Sequence, residues 1–218
     1  MDRGTSVRSC AWVLLLLLLS NSADAQVPLS ARSYREMGTA KGTVILHVNW
    51  GRYWNCGGYE NAQLQRLAFR RLNPPADALP GGDWELAPKS TLLTQPVFQH
   101  YVVLLDPGKY ALSGFRFKVA NSVSDIKVAE PDASQLIVDG NPVMGSFTVG
   151  AGEVVYIGHI GVDCNGEPSP WRFYTEGKEA FTTLVADFRR QYPFMKDTPV
   201  VFRLFDTDKM GHPYELPN

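Results

Sequence analysis

FTVGAGEVVYIGHIGVDC, residues Phe147 to Cys164, is the stretch whose reading decides the fold. Phe147 and Val149 alternate with polar neighbours, and Gly150 and Gly152 then interrupt the apolar run. The pattern predicts two strands joined by a tight turn. Val154, Val155, Tyr156, Ile157 and Ile160 follow with bulky residues at almost every position. A run of that kind predicts a strand covered on both faces, central in its sheet. The stretch ends on Cys164, one of three cysteines in the chain.

Working outward on the N-terminal side, Phe98–Leu105 and Lys109–Val119 predict a second hairpin across Asp106-Pro107-Gly108-Lys109. Proline presets φ at the second turn position and glycine accepts positive φ at the third, which is the requirement of a type II turn. Apolar parity in the return strand changes at Ser113-Gly114, which predicts a β-bulge there. Gln135–Val138 leads into Asp139-Gly140, a third hairpin signal, and Pro142 to Val149 leads out of it.

Further upstream, Thr43 to Trp50 alternates, with Val44, Leu46 and Val48 on one face and Ile45 and His47 on the other. Gly51 to Tyr59 turns. Ala62 to Leu72 fits a helix or a strand, and strand neighbours favour the strand, with Arg66 and Arg70 facing solvent. Asn73 to Pro96 holds Pro74, Pro75, Pro80, Pro88 and Pro96 and predicts a long loop, with at most a short strand near Trp84 to Leu86. Residues 26–42 read as a mobile, polar lead-in.

On the C-terminal side, Glu176 to Tyr192 predicts a helix. Ala180, Phe181, Leu184, Val185 and Phe188 share one face, Thr175 is a candidate N-cap, and Pro193 stops the helix. Thr198 to Phe205 predicts a last strand. The expected architecture is mainly β: one antiparallel sandwich domain over 43–218, of roughly seven to nine strands, with a C-terminal helix packed on it.

The first 25 residues read as a cleaved export signal. Arg3 and Arg8 precede the apolar run Ala11 to Leu19, and Ala23-Asp24-Ala25 has the small-x-small form of a cleavage site. A periplasmic or extracellular location follows. The mature chain would keep two cysteines, Cys56 and Cys164, which an oxidising compartment would join. No later run is long and apolar enough for a membrane helix. Net charge is -1, without a run of Lys or Arg, so nucleic acid is not an expected partner.

Candidate chemistry is sparse. His47, His100 and His159 each fall in an expected strand, but no HxH or HExxH spacing occurs. The choice there lies between single histidines on half-buried faces and a metal set that meets only in space; spacing supports no metal. Asp206-Thr207-Asp208 before Gly211 resembles the start of a calcium loop, yet Met210 and Pro217 occupy ligand positions, so it reads as a polar turn. No catalytic set and no cofactor motif is present. The remaining candidates are aromatic: Trp50, Tyr53, Trp54 and Tyr59 surround Cys56, and Trp171 and Tyr174 follow Cys164. A disulfide would draw them together, either as a shield of the bond or as a surface that stacks on sugar rings.

The pattern Leu105-Asp106-Pro107-Gly108-Lys109-Tyr110, then Phe147-Thr148-Val149, then Gly152-Glu153-Val154-Val155-Tyr156-Ile157-Gly158, then a helix ending at Tyr192-Pro193, resembles bacterial exported β-sandwich proteins of unknown function. It is also similar to transthyretin-like and carboxypeptidase-regulatory-like modules. The resemblance covers about half of the chain and brings no catalytic residue with it. The expected function is a non-catalytic secreted or periplasmic envelope protein with a binding or structural role, whose partner is another envelope protein or a surface glycan. A glycan-binding module built on the aromatic residues and a secreted hydrolase with a site assembled from loops are the alternatives.

Overall fold

The computed structural model describes residues 27–74, 82–88 and 97–217. Residues 1–25, expected to be an export signal, and most of the proline-rich loop lie outside them.

The strands in chain order are β1 (Val27–Pro28), β2 (Gly42–Asn49), β3 (Tyr53–Cys56), β4 (Tyr59–Leu72), β5 (Trp84–Leu86), β6 (Phe98–Leu105) and β7 (Gly108–Ala120). Then come β8 (Ile126–Ala129), β9 (Ile137–Val138), β10 (Asn141–Pro142), β11 (Ser146–Val149), β12 (Val154–Asp163), β13 (Ser169–Phe173) and β14 (Val200–Phe202). Three helices accompany them: α1 (Ala31–Met37), α2 (Ala133–Leu136) and α3 (Gly177–Gln191).

Two six-stranded sheets face one another. The first runs β1-β6-β2-β12-β13, with β14 also on β12; the second runs β11-β7-β4-β3, with β5 on β4 and β8 on β7. Val44, Leu46 and Val48 of β2 and Val155 and Ile157 of β12 meet Leu64, Leu67 and Phe69 of β4 and Leu112, Phe115 and Phe117 of β7 in the core between them. Inward and outward residues alternate, as the pleat of a half-buried strand requires. The second sheet is wholly antiparallel, whereas β12 runs parallel to both β2 and β14.

That parallel pairing corrects two expected hairpins. β11 pairs with β7 in the second sheet, while β12 is the centre of the first. β6 and β7 likewise belong to different sheets. Both connections are sandwich corners, which turn the chain from one layer to the other instead of back along its neighbour. Gly108 accordingly starts β7 at φ 159°, next to extended backbone and not in a type II turn. What constrains it is room: a Cβ there would meet Arg71 Nε at 2.7 Å. The Asp139-Gly140 hairpin does form, with φ of 50° and 75° at those residues. The bulge at Ser113-Gly114 forms too: Ala68 faces Gly114 and the next residue, Phe69, faces Leu112.

Ala62 to Leu72 is strand, inside β4. The segment expected as a mobile lead-in instead carries β1 on β6 and the helix α1. Ser30 and Ser33 cap α1 reciprocally, and Leu29, Tyr34 and Met37 pack against the outer face of the first sheet. A few apolar residues in a polar segment suffice because that face already offers Ile45, Leu104 and Tyr156.

Cys56 ends β3 in the second sheet, and Cys164 follows β12 in the first. They are bonded, with Cα atoms 4.7 Å apart, and the bond ties the two layers together at one end. Buried Arg172 of β13 holds the C-terminal segment, donating Nη1 to the Phe205 carbonyl and Nη2 to the His212 carbonyl. No helix among the described residues is long and apolar enough to cross a membrane.

Candidate functional site: a histidine row beneath a helix

The site lies on the outer face of the first sheet. Ile45 and His47 point outward from β2 because Val44, Leu46 and Val48 point inward. In the antiparallel β2–β6 register, His47 faces His100. In the parallel β2–β12 register, Tyr156 faces Ile45 and His159 faces His47. Two residues of β12, Ile157 and Gly158, therefore span the single residue Leu46, which is a β-bulge. Gly158 takes φ 102° there, where a side chain is strained. Without the extra residue, position 158 would face His47. The bulge is what delivers His159 to the row.

The result is three imidazoles side by side across three adjacent strands. His47 lies 3.9 Å from His100 and 4.3 Å from His159, centroid to centroid, the second pair stacked at 23°. Phe98 closes one end, 5.0 Å from His159. Burial pushes the His47 pKa down to about 3, helped by His159 and His100. Burial pushes His159 down to about 4, helped by His100. Both imidazoles are therefore neutral at neutral pH. His159 Nε2 is buried and has no hydrogen-bond partner.

α3 crosses above this row. Its N-cap is Glu176, without a side-chain cap; Thr175, the expected cap, bonds the Tyr156 hydroxyl instead. Phe188 is the one buried residue of the helix. Phe181 packs on Tyr156 and Phe202. Between these anchors the helix stands off the sheet and encloses a cleft of about 550 Å³. Ile45, Val102, Leu184 and Phe188 form its apolar walls, the three histidines its polar floor, and Asp187 and Arg190 its rim. Arg190 is paired with Asp187. The volume falls in the range of small-molecule pockets, roughly 300–1,000 Å³.

The stacked rings do not converge on a point, and among the described residues no His, Cys, Asp or Glu group has the geometry to hold a metal ion. In the Asp206–Gly211 segment, Thr207 Oγ1 donates to the Met144 carbonyl and accepts from the Lys209 and Met210 amides, and Met210 is buried in the core. That segment is a structural turn.

The aromatic candidates do not make one surface. Trp50 is fully buried between the sheets and donates Nε1 to the Tyr101 hydroxyl. Tyr53 packs against the same core and accepts from Asn49. Trp54 is 48% exposed under the Arg52 guanidinium, and Tyr59 lies under Lys127. Trp171 is half-buried against His212. Tyr174 stacks on Tyr214, on the outer face of the first sheet. Trp50 and Tyr174 thus lie on opposite faces of one sheet, so the disulfide cannot gather all six.

The row was hidden from sequence reasoning by register. His47 was placed on the outer face by parity, and His100 and His159 in strands, but which strands neighbour one another is a property of the sheet. The signal available was Gly158 immediately before His159 in a strand otherwise free of small residues up to that point, a mark of a bulge. No family model, curated protein or solved structure matches the chain.

Proposed function

We propose that the protein is a non-catalytic, exported binding module that holds a small molecule in the cleft between α3 and the histidine row. The observation that carries this reading is the cleft itself: walls that are mostly apolar above a floor of three imidazoles carried on paired strands, a lining of the kind small-molecule sites use. Catalysis is not favoured. The two depressed imidazoles lie side by side, the hydroxyl on the lining, Thr183 Oγ1, donates to the Glu179 carbonyl of its own helix, no thiol lines the cleft, and its one carboxylate, Asp187, is engaged with Arg190. Export is supported by the Cys56–Cys164 bond, since such bonds persist in oxidising compartments. An envelope protein as partner remains compatible with this role, with the cleft as the sensing or carrying site.

The test is to fill the cleft. Ala180 lines it from the exposed helix, so Ala180→Trp should occlude it without disturbing the core. Protein recovered from its native compartment is extracted and the small molecules compared by mass spectrometry. A compound carried by the parent and absent from Ala180→Trp is expected; identical extracts from the two would overturn the reading.

A further inference from the structure

Away from the cleft, on the second sheet, one hairpin gathers exposed apolar residues. Val123, Ile126 and Val128 are 98%, 45% and 46% exposed. Val123 lies in the turn between β7 and β8, and all four residues of β8 are exposed. Among the described residues β8 pairs with β7 alone, so its other edge is open. A single exposed hydrophobic is ordinary, but several beside an open edge form a template for another strand. We propose that two copies of the chain join there, β8 against β8 and antiparallel about a two-fold axis, with Ile126 opposite the partner's Ile126.

Main-chain direction is the first support. The Asn121 amide donates to the Asp125 carbonyl, and the same register continues as Ala120 facing Ile126 and Val119 facing Lys127. Bonded and non-bonded pairs alternate in an antiparallel ladder. Asp125, Lys127 and Ala129 therefore turn their main-chain groups toward β7, and Ile126 and Val128 turn theirs outward. An Ile126–Ile126 pair is a bonded pair made from those outward groups.

Charge selects the register. Two-fold symmetry makes one residue face its own copy. Asp125 facing Asp125, or Lys127 facing Lys127, would oppose like charges, which is destabilising. Registers centred on Val128 or Ala129 leave Lys127 opposite Ala129 or Pro131. Ile126 facing Ile126 sets Asp125 opposite the partner's Lys127, and does so twice. Those are non-bonded pairs, in which side chains come closest. Asp125 accepts from Asn121 and Lys127 lies over the Tyr59 ring, both on exposed β8 positions.

The apolar side chains agree. Ile126 and Val128 share the opposite face of β8. One row already runs Trp54, Asn61, Ala120, Ile126 across β3, β4, β7 and β8. Pairing carries that row into the partner and covers Ile126 and Val128 in both copies. Net charge of -1 opposes the approach little. A strand this short makes a small interface, and hence a concentration-dependent dimer.

Sedimentation equilibrium tests the pairing. Between about 10 μM and about 1 mM the mass should rise from one copy toward two, as for a weak interface. Ile126→Pro removes an outward N–H and spares the ladder to β7, where an edge proline is tolerated; it should stay monomeric and melt like the parent. Asp125→Lys and Lys127→Asp should each abolish the dimer, and the double variant should restore it. On oxidation Ile126→Cys should link two copies, because Cα atoms in a bonded pair stand about 5.5 Å apart, within disulfide reach. Val143→Cys, at a position 40% exposed elsewhere, should not. A parent that stays monomeric throughout leaves the edge to some other chain and overturns the proposal. So does Ile126→Pro that dimerises like the parent. A dimer kept in either single charge variant, or Ile126→Cys that links no faster than Val143→Cys, overturns the register.

Discussion

His159 stands opposite His47 in the parallel pairing of β12 with β2, and their rings stack with centroids 4.3 Å apart. Two imidazoles so placed cannot both accept protons cheaply. Each charge would be formed away from water, beside another that is also forming. His100, Tyr156, Asp187 and Arg190 surround the pair, and Asp187 is already engaged with Arg190.

The consequence is acid sensitivity with a defined sign. Folded, His47 titrates at about 3 and His159 at about 4. Unfolded, both regain the ordinary value of 6.5. Below that value the unfolded chain binds protons that the folded one refuses, so stability is complete above it and is lost as pH falls toward 4. The loss is about 1.4 kcal/mol per pH unit for each histidine. Above about pH 5 ordinary carboxylates are still ionised, so the slope there belongs to the histidines. Urea melts across this interval should show it, and His47→Gln should reduce it by about half. A flat profile in the parent would mean that the row is solvated.

Gly158 makes the second prediction. At φ 102°, any Cβ is strained, and one built there would also come within 2.9 Å of the Phe173 carbonyl oxygen. Gly158→Ala should cost roughly 1–3 kcal/mol. The relief available to the chain is to lose the bulge, which rotates His159 off the outer face. Gly158→Ala should therefore both lower the melting temperature and flatten the acid slope. Gly166, at φ 97° but with open space around its Cβ position, should show the stability cost without the change in slope.

The contrast between those two glycines marks how much of the molecule was legible beforehand. Local events were readable: the alternation of β2, the Asp139-Gly140 hairpin, the parity change at Ser113-Gly114, the face of α3 and the pairing of two remaining cysteines. Each is decided within a few residues or by elimination. The pairing of strands was not. Gly150-Ala151-Gly152 and Asp106-Pro107-Gly108 look like hairpin turns, yet both are corners, because a tight turn can reverse a chain within a sheet or pass it to the opposite one. The candidate site depends wholly on that second kind of information. His47, His100 and His159 are 53 and 59 residues apart in sequence and adjacent only once β2 separates β6 from β12. The six aromatic residues do not share one surface for the opposite reason: proximity to a disulfide in sequence says nothing about the face of the sheet each one occupies.

The disulfide gives the third prediction. The cysteines lie 108 residues apart and their bond joins the two sheets. Opening it in a Cys56→Ser, Cys164→Ser variant should cost about 4–5 kcal/mol by the chain-entropy account. Denaturant melts of the oxidised parent and the variant measure it. A difference under about 1 kcal/mol would show that the sandwich core alone fixes the relative position of the layers.

The last prediction separates core from surface among the tryptophans. Trp50 is 0% and Trp84 5% exposed, whereas Trp54 is 48% exposed. Trp171 lies between, its ring against His212. Acrylamide reaches an indole only where solvent does, so quenching of the parent should be biphasic. The accessible, red-shifted part should come mainly from Trp54, with a smaller share from Trp171. Trp54→Phe should remove most of that part and leave the melting temperature within about 0.5 kcal/mol equivalent, as for an exposed surface position. Trp50→Phe should do the reverse. It leaves the quenchable part in place and removes a buried donor from the Tyr101 hydroxyl, which costs stability twice, through the lost ring volume and through the hydrogen bond. Uniform quenching of all the emission, or loss of the accessible part in Trp50→Phe, would contradict the assignment of Trp50 to the core between the sheets.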